Sequence, residues 1–269
     1  MLRLPAVAGQ FYPANPRELT RLICQYTTPE VPVEKARARA CIVPHAGYVY
    51  SGGVAGAVFS RLLLPGKIIV LGVRHSPPGA DLAMLSKGAW RTPLGDAPLD
   101  EELARRIHEA CPTLQEDSVA HSREHSLEVE IPFLQTLQPS FTFVPIAVGT
   151  LRFTELEELG KGLARVLEEA TEEILMVTSS DMNHYEDEET TRQKDAMAIE
   201  KMGAVDAQGL YEVCRTESIS MCGLGPAVAT LTAMKEIGVT RGEVVRYATS
   251  GDVSGDRDAV VGYAGMIFR

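Results

Sequence analysis

Three strand-like segments of the sequence each end in a histidine or an aspartate. His45 follows "ACIVP", His75 follows "IIVLGVR", and Asp181 and His184 follow "ILMVTSS". In open α/β sheets, ligands bind in the crevice beyond the carboxyl ends of the strands. One histidine after a strand is typical of an ordinary turn, whereas three such strands favour one shared polar site. The sequence therefore predicts a site that contains His45, His75, Asp181 and His184.

One short segment, "AHSREHSLEVEIPFLQ", concentrates further titratable side chains. His121, Glu124 and His125 match the H-x-x-E-H pattern of inverted zinc proteases. On a helix, His121 and His125 would share a face and could bind one metal ion, with Glu124 as the base. The pattern is short, and it does not explain the residues at the strand ends. A metal-dependent hydrolase is therefore one hypothesis for the function.

The same segment also has a structural interpretation. Ser122 or Ser126 can cap a helix, because a serine hydroxyl accepts a hydrogen bond from an N–H group of the first turn. Glu128 or Glu130 would then lie in that turn, where the helix dipole favours a negative charge. This interpretation competes with the protease pattern.

Cys222 is the cysteine with the most distinctive surroundings. In "ESISMCGLGPAVATL" it precedes two glycines and a helix that is predicted to begin near Pro226. A helix N-terminus lowers the pKa of a nearby thiol and favours the thiolate, which is the nucleophilic and metal-binding form. We therefore interpret Cys222 as a candidate for a chemical role. The other cysteines are interpreted as structural residues: Cys24, Cys41, Cys111 and Cys214.

Asp181 and His184 are three residues apart in "SSDMNHY", directly after a strand-like segment. A tight turn at this point can bring both side chains into one crevice. If Asp181 accepts a hydrogen bond from one ring nitrogen of His184, it fixes the tautomer and raises the basicity of the other nitrogen. We expect this pair to transfer protons. In the alternative, Asp181 caps the following segment and His184 has no such role.

Alternating strands and helices are expected to position these residues. The strand patterns are "RACIVP", "KIIVLGV", "LAMLS", "FTFVPIAVG", "EILMVTSSD", "VVRYAT" and "VVGYAGMIF". Several are continuously apolar, which is typical of strands that are covered on both faces. Helices are predicted for "DEELARRIHEAC", "ELEELGKGLARVLEEA" and "GPAVATLTAMKEIG". The predicted fold is an α/β sandwich with a largely parallel central sheet flanked by helices, in a single domain over residues 1–269.

The composition is that of a globular protein, and it argues against several classes of partner. The chain has 26 Lys and Arg residues against 36 Asp and Glu residues, so its net charge is −10. This charge opposes binding to nucleic acids or to anionic membranes through a general electrostatic field. No apolar run is long enough for a membrane span, and the N-terminus lacks the apolar core of a signal peptide. Five cysteines without C-x-x-C spacing argue against a disulfide framework, so we expect a cytoplasmic protein.

Taken together, the motifs resemble those of the Memo family, whose bacterial and archaeal members are called AmmeMemoRadiSam system protein B. The resemblance rests on "LPAVAGQFYP", "PHAGYVYSG", "LGVRHS", "EHSLEVEIPFLQ", "SSDMNHY", "MCGLGP" and "VGYAGMIF", which follow the order of the family over essentially the whole chain. That family is similar in structure to the class III extradiol (LigB-type) dioxygenases, which use non-haem iron. The resemblance therefore implies a LigB/Memo-like fold with a metal-capable pocket at one end of the sheet.

The resemblance also implies roles for individual residues. The metal ligands would be His45, His75 and Cys222, and the other polar residues of the pocket would be Asp181, His184 and His125. Two imidazoles and a thiolate suit iron, copper or zinc, and we expect iron or copper rather than zinc. Extradiol dioxygenases complete their iron site with a carboxylate. A thiolate at that position changes charge donation and redox behaviour, so ring cleavage does not follow from the resemblance.

Three functions are consistent with these residues. The first is a metal-dependent redox protein with non-haem iron or copper, in which His184 is the acid–base residue and Asp181 orients it. The second is a non-catalytic protein that binds a metal or a partner through the same pocket. The third is the metal-dependent hydrolase. The family name implies partners from a radical-SAM system, and we expect a small-molecule or peptide ligand rather than a nucleic acid or a membrane.

Overall fold

A mixed β-sheet with helices on both faces forms the centre of the fold. The computed structural model describes residues 1–29, 31, 33–75 and 77–269, and within these ranges it contains twelve strands and ten α-helices. Nine of these strands form the large sheet and three form a small one. Among the helices of the described residues, none combines the length and the apolar character that a membrane span requires.

The strands lie at the positions that the apolar runs predict, together with several short strands that the sequence did not indicate. The strands of the large sheet are β2 (Ala40–Val43), β3 (Lys67–Val73), β4 (Leu82–Met84), β7 (Gln115–Glu116), β8 (Thr142–Val148), β9 (Ile174–Ser179), β10 (His184–Glu186), β11 (Gly242–Thr249) and β12 (Val260–Phe268). The small sheet consists of β1 (Leu2–Arg3), β5 (Ala89–Thr92) and β6 (Gly95–Pro98). All seven predicted strand patterns coincide with strands of the large sheet.

The helices connect the strands and cover the sheet. They are α1 (Pro16–Thr27), α2 (Tyr48–Phe59), α3 (Glu101–Ala110), α4 (Ser118–Ser122), α5 (Ile131–Leu137), α6 (Phe153–Glu168), α7 (Glu188–Gly203), α8 (Ala207–Thr216), α9 (Leu224–Glu236) and α10 (Gly251–Ser254). A short 3₁₀ turn, Glu128–Glu130, precedes α5. The three predicted helices correspond to α3, α6 and α9. Helix α9 ends just before Gly238, whose positive φ of 81° is the left-handed conformation that glycine adopts most readily.

Four parallel strands form the middle of the large sheet, in the order β2, β9, β3 and β8. Strands β12 and β4 flank them, and each pairs antiparallel with its central neighbour. The carboxyl ends of the four central strands therefore lie at one edge of the sheet. The prediction of an α/β fold with a largely parallel central sheet is confirmed.

Side chains of the central strands alternate between two apolar cores, one on each face of the sheet. In β3, Ile69 and Leu71 face the core formed with α3, α6, α7, α8 and α9, whereas Ile68 and Val70 face the core formed with α1, α2 and α5. Because both faces are covered, the central strands are apolar throughout rather than alternating. This double packing holds the carboxyl ends of β2, β9 and β3 in fixed positions.

Candidate metal centre

The loops after three central strands carry polar side chains to one edge of the sheet. His45 follows β2, Asp181 follows β9 and His75 follows β3, and β9 lies between the other two strands. The ring centroids of His45 and His75 are 5.2 Å apart, with the ring planes nearly perpendicular. The sequence-based prediction that separate strands deliver these residues to one site agrees with this arrangement.

A third histidine completes a cluster at this edge. His125 stacks on His75 with ring centroids 4.5 Å apart, and its centroid lies 5.4 Å from that of His45. One ligand atom from each of His45, His75 and His125 lies within 4.8 Å of the others. His45 is buried, His125 is half-buried and His75 is exposed, so the cluster opens to solvent on the side of His75. Within the described residues this is the group of three side chains that could hold a metal ion.

Glu124 orients His75 through its carboxylate. Glu124 Oε2 accepts a hydrogen bond from the backbone N–H of His75 at 2.7 Å, and Oε1 lies 2.8 Å from His75 Nδ1. Oε1 also accepts from the backbone N–H of Ser126 at 2.8 Å. Burial alone would raise the pKa of Glu124, but the His75 ring and the backbone N–H groups of Ser126 and His75 lower it to about 2. Because the carboxylate accepts from Nδ1, His75 directs Nε2 away from Glu124.

Residues at the end of β9, the strand next to β2, hold His45 in place. Its Nδ1 lies 2.7 Å from Ser179 Oγ, and its backbone N–H donates to Asp181 Oδ1 at 2.8 Å. Ser179 is the last residue of β9 and pairs with Val43 at the end of β2, so its hydroxyl is close to the loop that follows. Burial raises the pKa of Asp181 to about 7, although the backbone N–H groups of His45 and Ala46 act in the opposite direction.

Cys222 lies directly beside His45, on the side opposite to Ser179. Its Sγ is 3.2 Å from His45 Nε2, and it accepts a hydrogen bond from the backbone N–H of Asp181 at 3.3 Å. Gly223 follows, and it allows close packing on Ser180, because a Cβ at that position would lie 2.2 Å from the Ser180 Cβ. The sequence indicated that the N-terminus of α9 would lower the pKa of the thiol. Burial instead raises the pKa of Cys222, and the charge of Asp181 acts in the same direction.

Two imidazoles of the cluster, those of His45 and His125, are neutral in this environment. Burial, followed by the charges of His125 and His75, lowers the pKa of His45 well below its ordinary range, and His184 contributes in the same direction. Burial and the charge of His75 likewise lower the pKa of His125. A neutral imidazole offers the lone pair that a metal ion needs. The cluster therefore presents nitrogen atoms that are ready to bind a metal.

The predicted hydrogen bond between Asp181 and His184 is not formed, and that expectation is wrong. His184 Nδ1 lies 3.0 Å from the backbone carbonyl of Ser220, and the backbone N–H of His184 donates to Ser220 Oγ. His184 lies in β10, which pairs with β12. Asp181 instead binds the loop after β2. The Ser220 carbonyl, rather than Asp181, fixes the His184 tautomer with Nε2 unprotonated.

The helix that the H-x-x-E-H pattern requires is absent from the described residues of this segment. Helix α4 ends at Ser122, so His121 and His125 do not share a helical face. The His121 ring is fully buried, and its centroid lies 5.7 Å from that of Trp90. Glu124 is a partner of His75 rather than of His121. The protease interpretation of this segment is therefore wrong.

The serine caps of the alternative interpretation are not formed, although Glu128 and Glu130 do lie in the first turn of a helix, the short 3₁₀ turn. Ser126 Oγ donates to the carbonyl of Val73 rather than accepting from a helix N–H, and Ser122 Oγ donates to the carbonyl of Val119 inside α4. Glu128 and Glu130 are both buried. Segment 126–127 lies directly over Gly72 of β3, where a Cβ would lie 2.6 Å from Ser126 Oγ.

Three positioning residues were not identified as such from the sequence: Glu124, Ser179 and Ser220. The sequence pattern marks Glu124 only as a protease base, and the two serines lie in ordinary Ser-containing stretches. Their partners are 49, 134 and 36 residues away along the chain, respectively. No local pattern encodes contacts of this kind, because they depend on the order of the strands in the sheet. The adjacency of Glu124 to a candidate histidine was the one available signal.

A cavity beside the cluster offers room for a ligand. It has a volume of about 570 Å³ and is lined by His75, Pro77, Arg123, Glu124 and His125, among others. Sites for small molecules are usually clefts of a few hundred Å³ with apolar walls and a few polar groups. The exposed side of the histidine cluster is thus accessible to a small molecule.

Comparisons with known proteins agree with the fold and with the motifs. Residues 3–267 match the family model described as Memo-like protein. A MEMO1 family protein from Methanopyrus kandleri is 40% identical, over 100% of this chain and 99% of that protein. A MEMO1 family protein from Aquifex aeolicus is 41% identical, over 99% of each chain. A crystal structure of an uncharacterized protein from Escherichia coli K12 is similar in fold, with a TM-score of 0.60 at 14% identity, over 86% of this chain and 100% of that one. The chain, by its match over nearly its whole length, belongs to the Memo-like protein family.

Proposed function

We propose that this protein is a metal-dependent redox protein whose metal ion binds at the histidine cluster. The observation that carries the proposal is the convergence of His45, His75 and His125 within 4.8 Å at the carboxyl edge of the sheet. Cys222 adds a sulfur donor 3.2 Å from His45 Nε2. Two ligands of one ion, bound at about 2.0 and 2.3 Å, lie about 3 to 3.5 Å apart, so this spacing fits a shared metal.

Iron or copper is the proposed metal, because each matches the donor set and also supplies redox chemistry. His45 and His75 would bind through Nε2, because Ser179 and Glu124 occupy the respective Nδ1 atoms. The family resemblance gives Cys222 as the third protein ligand, whereas the group of ligand atoms within 4.8 Å has His125 in that place. Imidazole together with thiolate suits iron, copper or zinc, and the first two supply one-electron and oxygen chemistry when bound. We also propose a relation to extradiol dioxygenases and an association with radical-SAM partners. Both are implied by the family resemblance.

His184 is the proposed acid–base residue of the pocket. The Ser220 carbonyl holds the proton on Nδ1, which leaves Nε2 as a proton acceptor. Burial lowers the pKa of His184, so that the ring is a neutral base at physiological pH. Asp181 serves a different purpose, because it holds the loop that carries His45.

Replacing His184 by Gln is expected to separate chemistry from metal binding. Metal content and thermal stability should remain near the parental values, whereas oxygen consumption by the iron-loaded protein with a catechol probe should fall by roughly two to four orders of magnitude. Ser220→Ala removes the hydroxyl that accepts from the His184 backbone N–H but keeps the carbonyl that bonds Nδ1, so it should lower turnover less than His184→Gln does. Parental turnover in His184→Gln would remove His184 from the mechanism.

Metal analysis of protein purified without oxygen tests the proposed function directly. Iron or copper at one equivalent, together with oxygen consumption, is the expected result. A tightly bound metal without any turnover would favour a non-catalytic metal-binding protein. Zinc that supports hydrolysis would favour a hydrolase, although the segment with His121 no longer supplies its site.

A further inference from the structure

Glu130 is a buried carboxyl group that the proposed chemistry leaves unused. It lies at the end of the 3₁₀ turn, and only 1% of its surface is exposed. Its Oε1 is 3.2 Å from Ser179 Oγ, whereas its Oε2 has no hydrogen-bond partner among the described residues. A charged carboxylate with a single long contact is very unfavourable in an apolar interior. The group therefore requires an explanation.

The contacts of Ser179 decide what Glu130 does. Ser179 Oγ lies 2.6 Å from the backbone carbonyl of Ser126, 2.7 Å from His45 Nδ1 and 3.2 Å from Glu130 Oε1. A serine hydroxyl has one hydrogen and two lone pairs. The carbonyl can only accept, so a contact of 2.6 Å requires the Ser179 hydrogen to point at Ser126. The other two neighbours must then donate to Ser179.

We infer that Glu130 is a neutral carboxylic acid that donates its O–H to Ser179 Oγ and, through Ser179, positions His45. The donated hydrogen bond keeps the Ser179 hydroxyl directed at Ser126. Ser179 must then accept from His45, which fixes the imidazole as the Nδ1–H tautomer with Nε2 directed at Cys222 and the metal position. Glu130 is thus a positioning residue of the metal centre.

The surroundings of Glu130 favour the neutral acid independently of the donor and acceptor assignment at Ser179. Burial raises the pKa of Glu130 well above its ordinary range, the Ser179 hydrogen bond opposes this effect, and the charge of Asp181 adds to it. Its other polar neighbours supply no positive charge: Tyr48 donates its hydroxyl to the Val129 carbonyl, and Cys41 is a buried thiol. In the neutral form the unpartnered Oε2 is a carbonyl oxygen, which is far less costly to bury than a carboxylate oxygen.

Two spectroscopic measurements on the metal-free protein test the inference. At neutral pH, the infrared spectrum should contain a carbonyl band of a protonated carboxylic acid that is missing from Glu130→Gln, in addition to the band of Asp181, whose pKa of about 7 leaves it partly protonated. Nitrogen-15 NMR of the imidazoles should show His45 as the Nδ1–H tautomer. An unchanged infrared spectrum in Glu130→Gln, or the opposite tautomer of His45, would overturn the inference.

The metal affinities of variants show whether Glu130 positions His45 or only fills space in the core. Glu130→Gln retains an N–H donor to Ser179 and should bind Fe²⁺ or Zn²⁺ within about threefold of the parent. Glu130→Leu and Ser179→Ala should bind the same ions about 10- to 100-fold more weakly and should mix the His45 tautomers. Thr178→Val is the matched control, because Thr178 precedes Ser179 in β9 but bonds Thr230 on the opposite face of the sheet. It should lose stability without changing the His45 tautomer.

The role of Glu130 in metal binding rests on the proposed metal centre. The experiments can refute the metal centre and the hydrogen bond of Glu130 separately. If no variant binds metal, including the parent, the proposed function fails and the infrared and NMR results still decide the role of Glu130. If Glu130→Gln weakens metal binding as much as Glu130→Leu does, the hydrogen-bond role of Glu130 is refuted while the metal centre stands.

Discussion

Alanine in place of His45 or His75 is expected to abolish stoichiometric metal binding while the fold remains intact. Both imidazoles are oriented by a partner on Nδ1, and their Nε2 atoms are directed into the cluster. A structural zinc site with four ligands contributes about 10–16 kcal/mol, so each ligand accounts for about 3 kcal/mol, or about a hundredfold or more in affinity. Titration with Fe²⁺ and Zn²⁺ under anaerobic conditions, together with thermal unfolding of the metal-free variants, measures both effects.

His125→Ala and Cys222→Ser compare the two candidates for the third ligand. The sequence resemblance implied Cys222, and the structure adds His125 to the cluster. We expect Cys222→Ser to lower the affinity by about a hundredfold and to change the absorption of the Co²⁺-substituted protein, because a thiolate ligand is lost. A larger loss of affinity in His125→Ala would make the site a three-histidine centre instead.

His121→Ala is the control for these variants. His121 is buried against Trp90 and lies outside the cluster, so its removal should lower stability without a change in metal content. Full metal occupancy in the variants of His45, His75 and Cys222 alike would refute the proposed ligand set.

The central sheet could be predicted from the sequence because its strands are encoded locally. Segments such as Lys67–Val73 and Ile174–Ser179 are continuous apolar runs, and a strand with both faces covered has that signature. The positions of His45 and His75 at strand ends followed from the same patterns. The carboxyl ends of parallel strands lie at one edge of a sheet, so the general location of the site could be predicted as well.

The partners of the site residues could not be predicted, because they depend on contacts between distant segments. The pair Asp181–His184 illustrates this limit: the two residues are close in sequence, yet β10 pairs with β12 and brings His184 to Ser220 instead. The segment around Glu124 is the second case. Its histidine spacing suggested a helix, but the chain forms a short turn that is held by Arg3 and by strand β3.

The pKa of Cys222 is a third case, in which two physical effects compete. Its position before α9 was correctly predicted, and a helix N-terminus favours a thiolate. The burial of the thiol beside Asp181 has the opposite effect and is the larger one in the metal-free chain. Sequence patterns indicate the helix but give no measure of burial at its end.

Arg3→Met is expected to lower the free energy of unfolding by about 3–5 kcal/mol, because it leaves a buried carboxylate without its cation. The side chains of Arg3 and Glu128 are 5% and 1% exposed, and Arg3 Nη1 lies 2.7 Å from Glu128 Oε2. The guanidinium also lies 4.0 Å from the centroid of the Trp90 ring. Met fills a similar volume, so the loss of stability is due to the missing charge and hydrogen bonds rather than to a cavity.

The same substitution also removes two anchors of the segment that carries His125. Arg3 Nε donates to the carbonyl of His121 and Nη2 donates to the carbonyl of Glu124, each at 2.7 Å. Glu124 in turn orients His75. We therefore expect weaker metal binding in Arg3→Met, by about 10- to 100-fold, as for other groups that hold ligands in place.

Two comparisons determine whether the buried charge is the cause. Arg91→Met removes an exposed ion pair with Asp96 and should cost far less stability than Arg3→Met in urea unfolding of the metal-free protein, because exposed ion pairs are solvated and screened. Adding Glu128→Gln to Arg3→Met should recover part of the lost stability, because the unpaired charge disappears while Tyr12 and the backbone N–H of Val7 can still donate to an amide oxygen at the position of Oε1. If Arg3→Met lost as little stability as Arg91→Met, the N-terminal strand would not hold the metal-binding segment. The position of His125 would then depend on its packing against Phe11 and His75 alone.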